Sequence, residues 1–194
     1  MTQQDEYFSV QLGLTINVES LAKDESIPNE HDFQSEIPPL FRIASECSNL
    51  EDNADRLFAS FNKNETQALM DYLAAQNNKI NLLLSYVLSQ QDDPAHRFTT
   101  LTFGASNLSF TSSEPYHIGD NVKVKLFLDY PAAAIYCYAE VIESLASNDK
   151  FIVKLRYTRL LEDDRDLLIR AALYSQQKLL RQRAQQRQLN NNDE

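Results

Sequence analysis

Residues 98–128, FTTLTFGASNLSFTSSEPYHIGDNVKVKLFL, decide the fold. Within short runs, apolar side chains recur at every second position: Phe98–Phe103, Asn107–Thr111 and Val122–Leu128. A period of two marks a strand with one buried face. The runs are broken by turn formers, Gly104-Ala105-Ser106-Asn107 and His117-Ile118-Gly119-Asp120. Downstream, Ile135–Ile142 and Phe151–Tyr157 repeat the pattern, with breaks at Asp129-Tyr130-Pro131 and Ser147-Asn148-Asp149. Short strands at this spacing predict a small antiparallel β-barrel, which hides its edges and fills its centre with side chains. The fold class is α+β, with helices before and after the barrel.

After the barrel, the carboxylates of Asp163 and Asp164 favour a helix N-terminus. That helix runs through Leu167, Leu168, Ala171, Ala172, Leu179 and Leu180. The tail from Arg181, RQRAQQRQLNNNDE, has almost no apolar content and is expected to fray into disorder.

Before the barrel, residues 64–91 hold no Pro or Gly, and Asp92-Asp93-Pro94 ends the run. Leu69, Leu73, Gln76, Ile80, Leu83 and Val87 follow a 4-3-4-3-4 rhythm, the heptad seam of a coiled coil with a polar Gln in the middle. A second line through Met70, Tyr72, Leu82, Leu84, Tyr86 and Leu88 widens the apolar stripe. The seam predicts a homo-oligomer through helix 64–91; the competing reading is a helix that covers its own barrel. Further upstream, Pro38-Pro39 suits a helix start, and a short helix is expected from Glu51 to Phe61. Residues 8–18 alternate as a lone strand, whose pairing partner the sequence leaves open. Residues 19–36 read as a loop. The expected organisation is 1–35 strand and acidic linker, 36–92 helical segment, 93–161 barrel, and 162–194 helix with disordered tail.

The 194-residue chain carries a net charge of −10, which argues against nucleic-acid binding because a phosphate backbone repels an acidic surface. Acidic residues crowd the first sixty positions, while Arg165, Arg170, Lys178, Arg181, Arg183 and Arg187 gather near the end. That basic end reads as a solvated helix face or a docking surface for an anionic partner. No apolar run approaches the roughly 20 residues that span a bilayer. MTQQDEYFSV lacks the basic start and apolar core of a secretory signal, so a cytoplasmic location is expected. Cys47 and Cys137 read as reduced thiols.

Signs of catalysis are missing. His31, His96 and His117 show no metal-type spacing. Three glycines are too few for a Gly-rich phosphate cradle. The run Glu162, Asp163, Asp164, Asp166 reads as helix capping. Cys137, inside the strand IYCYA, reads as a core residue. The expectation is a protein that is not an enzyme and has no cofactor or metal.

The stretch LTFGASNLSFTSSEPYHIGDNVKVKLFL, followed by IYCYAEVIES and KFIVKLRYTRLLEDDRDLLIR, resembles the PilZ domain. Asn107-Leu108-Ser109-Phe110 stands where that family has its Gly-leu-x-Phe strand, and Gly119-Asp120-Asn121-Val122 where it has Gly-Asp-x-Val. NNKINLLLSYVL, residues 77–88, is similar to the helix through which a non-consensus PilZ subgroup oligomerises. The resemblance implies a bacterial signalling module of the cyclic di-GMP receptor superfamily.

Ligand-binding members of that family carry RxxxR before the first barrel strand and (D/N)xSxxG in the following turn. Here Pro94–Thr100 supplies only Arg97, and Thr102-Phe103-Gly104-Ala105-Ser106-Asn107 replaces the turn motif. Losing a phosphate-gripping arginine removes several kcal/mol, at ~1.5–3 per charge-assisted contact plus desolvation. The resemblance therefore implies a module that acts through oligomerisation and protein partners and binds cyclic di-GMP weakly or not at all. A second reading keeps a receptor for cyclic di-GMP or another anion, using Arg97, Arg156, Arg159 and Arg165. A third makes the N-terminal strand part of a second, partner-binding domain of a motility component.

Overall fold

The computed structural model describes residues 9–22, 25–58 and 63–191, with side chains outside 51–66 and 187–191. Six strands close into an antiparallel barrel: β1 (Thr15–Ser20), β2 (Arg97–Phe103), β3 (Asn107–Ser112), β4 (Asn121–Leu128), β5 (Ala133–Ser147) and β6 (Lys150–Arg159). Their order around the barrel is β1-β2-β3-β6-β5-β4. Four helices flank it: α1 (Glu30–Glu36), α2 (Pro39–Phe58), α3 (Lys63–Ser89) and α4 (Glu162–Asn191).

The alternation does what its period dictates. Along β4, Val122, Val124, Leu126 and Leu128 are buried, while Lys123 and Lys125 lie on the outer face. The interior is filled by Ile16, Val18, Phe103, Leu108, Phe110, Ile135, Cys137, Val153 and Leu155, with Leu167, Leu168, Ala171 and Ala172 of α4 packed on the same core. Asn148 (φ 47°) and Asp149 (φ 62°) make the two-residue β5–β6 turn, in which both residues take the left-handed region.

The strand left without a partner in the sequence is the sixth stave. β1 pairs antiparallel with β2 (Asn17 opposite Arg97) and with β4 (Ile16 opposite Leu126). The strand runs over 15–20 rather than 8–18; Val10 touches β2 by an isolated bridge to Phe103, and Phe8 lies outside the described residues. The reading of this strand as part of a separate partner-binding domain is thereby overturned. Asn17 is buried within it and does what a Val could not. Its amide donates to Asp92 Oδ1 (2.7 Å) and to the Asp93 carbonyl (3.0 Å), and its Oδ1 accepts from the Asp93 N–H (2.9 Å). One side chain thus satisfies the turn that leads from α3 into β2.

Three helix expectations need correction. Residues 19–36 are not all loop: α1 starts at Asn29, whose side chain accepts from the Asp32 N–H at 3.0 Å. The helix expected at Glu51–Phe61 is the second half of α2, because nothing between Pro39 and Phe58 breaks a helix; residues 59–61 lie outside the described residues. Within the described residues the polar tail is helical: α4 continues to Asn191. Its Arg, Gln, Ala and Leu residues are all good helix formers, and low hydrophobicity alone does not break a helix.

Candidate functional site

The ends of the barrel strands place the arginines. β6 ends beside the β2–β3 turn, with Arg156 opposite Asn107. The Tyr157 N–H donates to the Ser106 carbonyl at 3.0 Å. α4 starts three residues after β6, so Arg156, Arg159 and Arg165 gather at this end. Arg97 does not join them. It opens β2, a full strand away from the 104–106 turn, about 20 Å at the rise of an extended chain.

Each of the four arginines faces a carboxylate. Arg97 Nε lies 2.6 Å from Asp92 Oδ2, and Arg156 Nη2 lies 2.6 Å from Glu140 Oε2. Arg159 Nη1 is 3.0 Å from Glu30 Oε2 on α1. Arg165 Nε is 3.4 Å from Glu162 Oε2, and its Nη1 donates to the Ala105 carbonyl at 2.8 Å. In the turn itself, Ala105 and Ser106 already use their carbonyls as acceptors.

The outer face of β5 carries a feature the sequence reading missed. Tyr136 and Tyr138 point outward at alternate positions, and both hydroxyls donate to Glu36 at the end of α1, that of Tyr136 at 3.1 Å. Phe33, fully buried, sits against both rings with centroids 6.0 Å away. Burial raises both phenol pKa values above the ordinary range, so both remain donors at neutral pH. With Phe41, Ala44, Leu88 and Ala134 they form a second core outside the barrel. The first half of β5, Ala133–Ala139, is therefore buried on both faces. The signals in the sequence were the Asn29 cap and two tyrosines two residues apart.

Where α2 meets α4, Ser45 Oγ donates to Asp164 Oδ1 at 3.1 Å. Asp164 is buried, and desolvation pushes its carboxyl up to about 6. Cys137 is wholly buried in the barrel, and burial raises its thiol far above the usual range, the reverse of a nucleophile. Among the described residues no group of His, Cys, Asp and Glu could hold a metal ion. No helix of the described residues is long and apolar enough to cross a membrane.

On α3 the seam residues Leu69, Ile80, Leu83 and Val87 are exposed, Leu83 by 68% and Ile80 by 50%. Leu73 and Gln76 are half-buried. Contact with the second core comes from Leu84 and Leu88 near the end of the helix. Leu69, Ile80, Leu83 and Val87 therefore do not pack on the barrel. Tyr72, Leu82 and Tyr86 are exposed as well.

No protein-family model and no curated protein matches the sequence. Among solved structures, one similar chain is a pathogenic protein from Xanthomonas campestris, a tetrameric PilZ domain self-assembled via a helical bundle. It superposes with a TM-score of 0.53 at 18% identity, over 89% of this chain and 90% of that one. The Bacillus subtilis inhibitor of motility superposes with a TM-score of 0.48 at 10% identity, over 91% of this chain and 53% of that one. A closed six-stranded antiparallel barrel with helices between its first two strands and after its last, matched over nearly the whole of the Xanthomonas chain, establishes that this protein has the PilZ fold.

Proposed function

We propose that the protein is a non-catalytic PilZ-type signalling or assembly module that self-associates through α3, acts on protein partners, and binds cyclic di-GMP weakly or not at all. One observation carries the reading: the heptad line of α3 is turned to solvent rather than onto the barrel. An exposed stripe of Leu69, Ile80, Leu83 and Val87 gains most by burial against an identical stripe. The tetrameric helical bundle of the Xanthomonas neighbour supports this use of a helix in the same fold. Weak nucleotide binding is supported by the four ion-paired arginines and by the distance of Arg97 from the turn.

Light scattering on the full chain tests self-association. Wild type is expected at a multiple of 22.3 kDa, and Ile80→Asp or Leu73→Asp at a smaller multiple. An unchanged mass in both variants refutes the interface. Calorimetric titration with cyclic di-GMP tests the second half; low-micromolar affinity lost on Arg156→Ala and Arg165→Ala would establish the receptor reading instead.

A further inference from the structure

A cavity of about 350 Å³ lies between α4 and the end of the barrel at which β2 and β4 finish. Its floor is Leu14, Phe103, Leu128 and Ala171, all buried. Leu179, the last residue of α4 that packs on the barrel core, lines it too. The volume is at the lower end of the range for small-molecule sites, roughly 300–1,000 Å³. A floor of this kind suits a small metabolite with one hydrophobic arm rather than a dinucleotide.

The mouth is polar. Asp129 and Tyr130 stand in the turn after β4, and Tyr174, Lys178 and Gln182 stand along α4. The rings of Tyr130 and Tyr174 meet with centroids 4.1 Å apart, which ties the turn to the helix beside the opening. Asp129 and Lys178 are the two charged residues of the lining. Both are exposed, and neither is in an ion pair among the described residues, with the other or with a third group. The opening thus offers one acceptor of negative charge and one donor of positive charge, above an apolar floor.

That pattern selects its ligand by charge. A hydrophobic monoanion gains Lys178 and meets the like charge of Asp129; a hydrophobic monocation gains Asp129 and meets Lys178. A molecule that carries both signs on a short head, with an apolar arm behind it, meets neither conflict. We propose that the cavity binds a free apolar α-amino acid, with its ammonium group at Asp129, its carboxylate at Lys178 and Gln182, and its side chain on Leu14, Phe103 and Leu128. The bound molecule joins the turn after β4 to α4. The site lies within one protomer and depends neither on self-association through α3 nor on cyclic di-GMP.

Calorimetric titration of the full chain with single compounds tests each part. L-phenylalanine or L-leucine is expected to bind with a Kd of about 0.1–1 mM. L-alanine keeps both charges and lacks the arm. Phenethylamine and isopentylamine keep the arm and the ammonium group; hydrocinnamate and 4-methylpentanoate keep the arm and the carboxylate. Each of these should bind about tenfold more weakly than the amino acid it matches. Asp129→Asn and Lys178→Gln change exposed side chains, and each should weaken the amino acid about tenfold. Asp129→Asn should leave hydrocinnamate no weaker, because it removes a like charge. Circular dichroism checks that both variants are folded. No saturable binding of either amino acid up to about 10 mM, an affinity equalled by any of the partial analogues, or one unchanged by either substitution overturns the proposal.

Discussion

Replacing Asp164 by Asn should stabilise the protein at neutral pH, although it removes a carboxylate from the first turn of a helix. Asp164 has an ordinary value of 3.8 and is pushed to about 6 by burial between α2 and α4. The sign follows from the direction of that shift. Below pH 3.8 the group is protonated in both the folded and the unfolded chain, and costs nothing. Between pH 3.8 and 6 the unfolded chain loses its proton while the folded one keeps it, and the penalty on folding accumulates. Above 6 it is complete, at about 3 kcal/mol from 1.36 kcal/mol per pH unit. Asn stays uncharged and its Oδ1 can still accept from Ser45. It gives up the attraction between a carboxylate and the N-terminus of α4, about 0.3–1 kcal/mol. The net gain is therefore about 2 kcal/mol at pH 7.5, or roughly 4–8 °C in melting temperature for a chain of this size. At pH 4.5 the penalty on wild type shrinks to about a third. Urea unfolding followed by circular dichroism, at one protein concentration and both pH values, measures the difference. A variant less stable than wild type at pH 7.5, or a gap equal at both pH values, refutes the reasoning.

Three further outcomes follow from the same geometry. Phe33→Ala empties the second core and should cost about 3–5 kcal/mol, read as a lower urea midpoint; a loss under about 1 kcal/mol would mean that α1 is not held on β5. Asn17→Ala leaves the Asp93 N–H and the turn after α3 without partners and should cost about 1–3 kcal/mol; hydrogen exchange should quicken at Asp93, and unchanged protection there contradicts the assignment. Lys123→Ala breaks a partly exposed 2.6 Å pair with Glu25 and should lower the urea midpoint only slightly; high salt, which screens the pair in the wild type, should close the gap between the two proteins.

The sequence by itself determined the barrel strands after Pro94, the heptad line of α3 and the helix after Arg159, because each is a local periodicity of apolar side chains. Val122, Val124, Leu126 and Leu128 declare their buried face without reference to any other strand. The missing ligand motif was legible in the same way, since it concerns which residues are present. Only the tertiary structure decided that 15–20 closes the barrel between β2 and β4, because hydrogen-bonded pairing across about eighty residues leaves no trace in either strand alone. It also decided that Arg97 stands a strand's length from the other three arginines, and that α1 is clamped to β5 through Phe33 and Glu36. A residue type shows what chemistry is available; distance, burial and partner arise where remote segments meet, and these settle which groups act together.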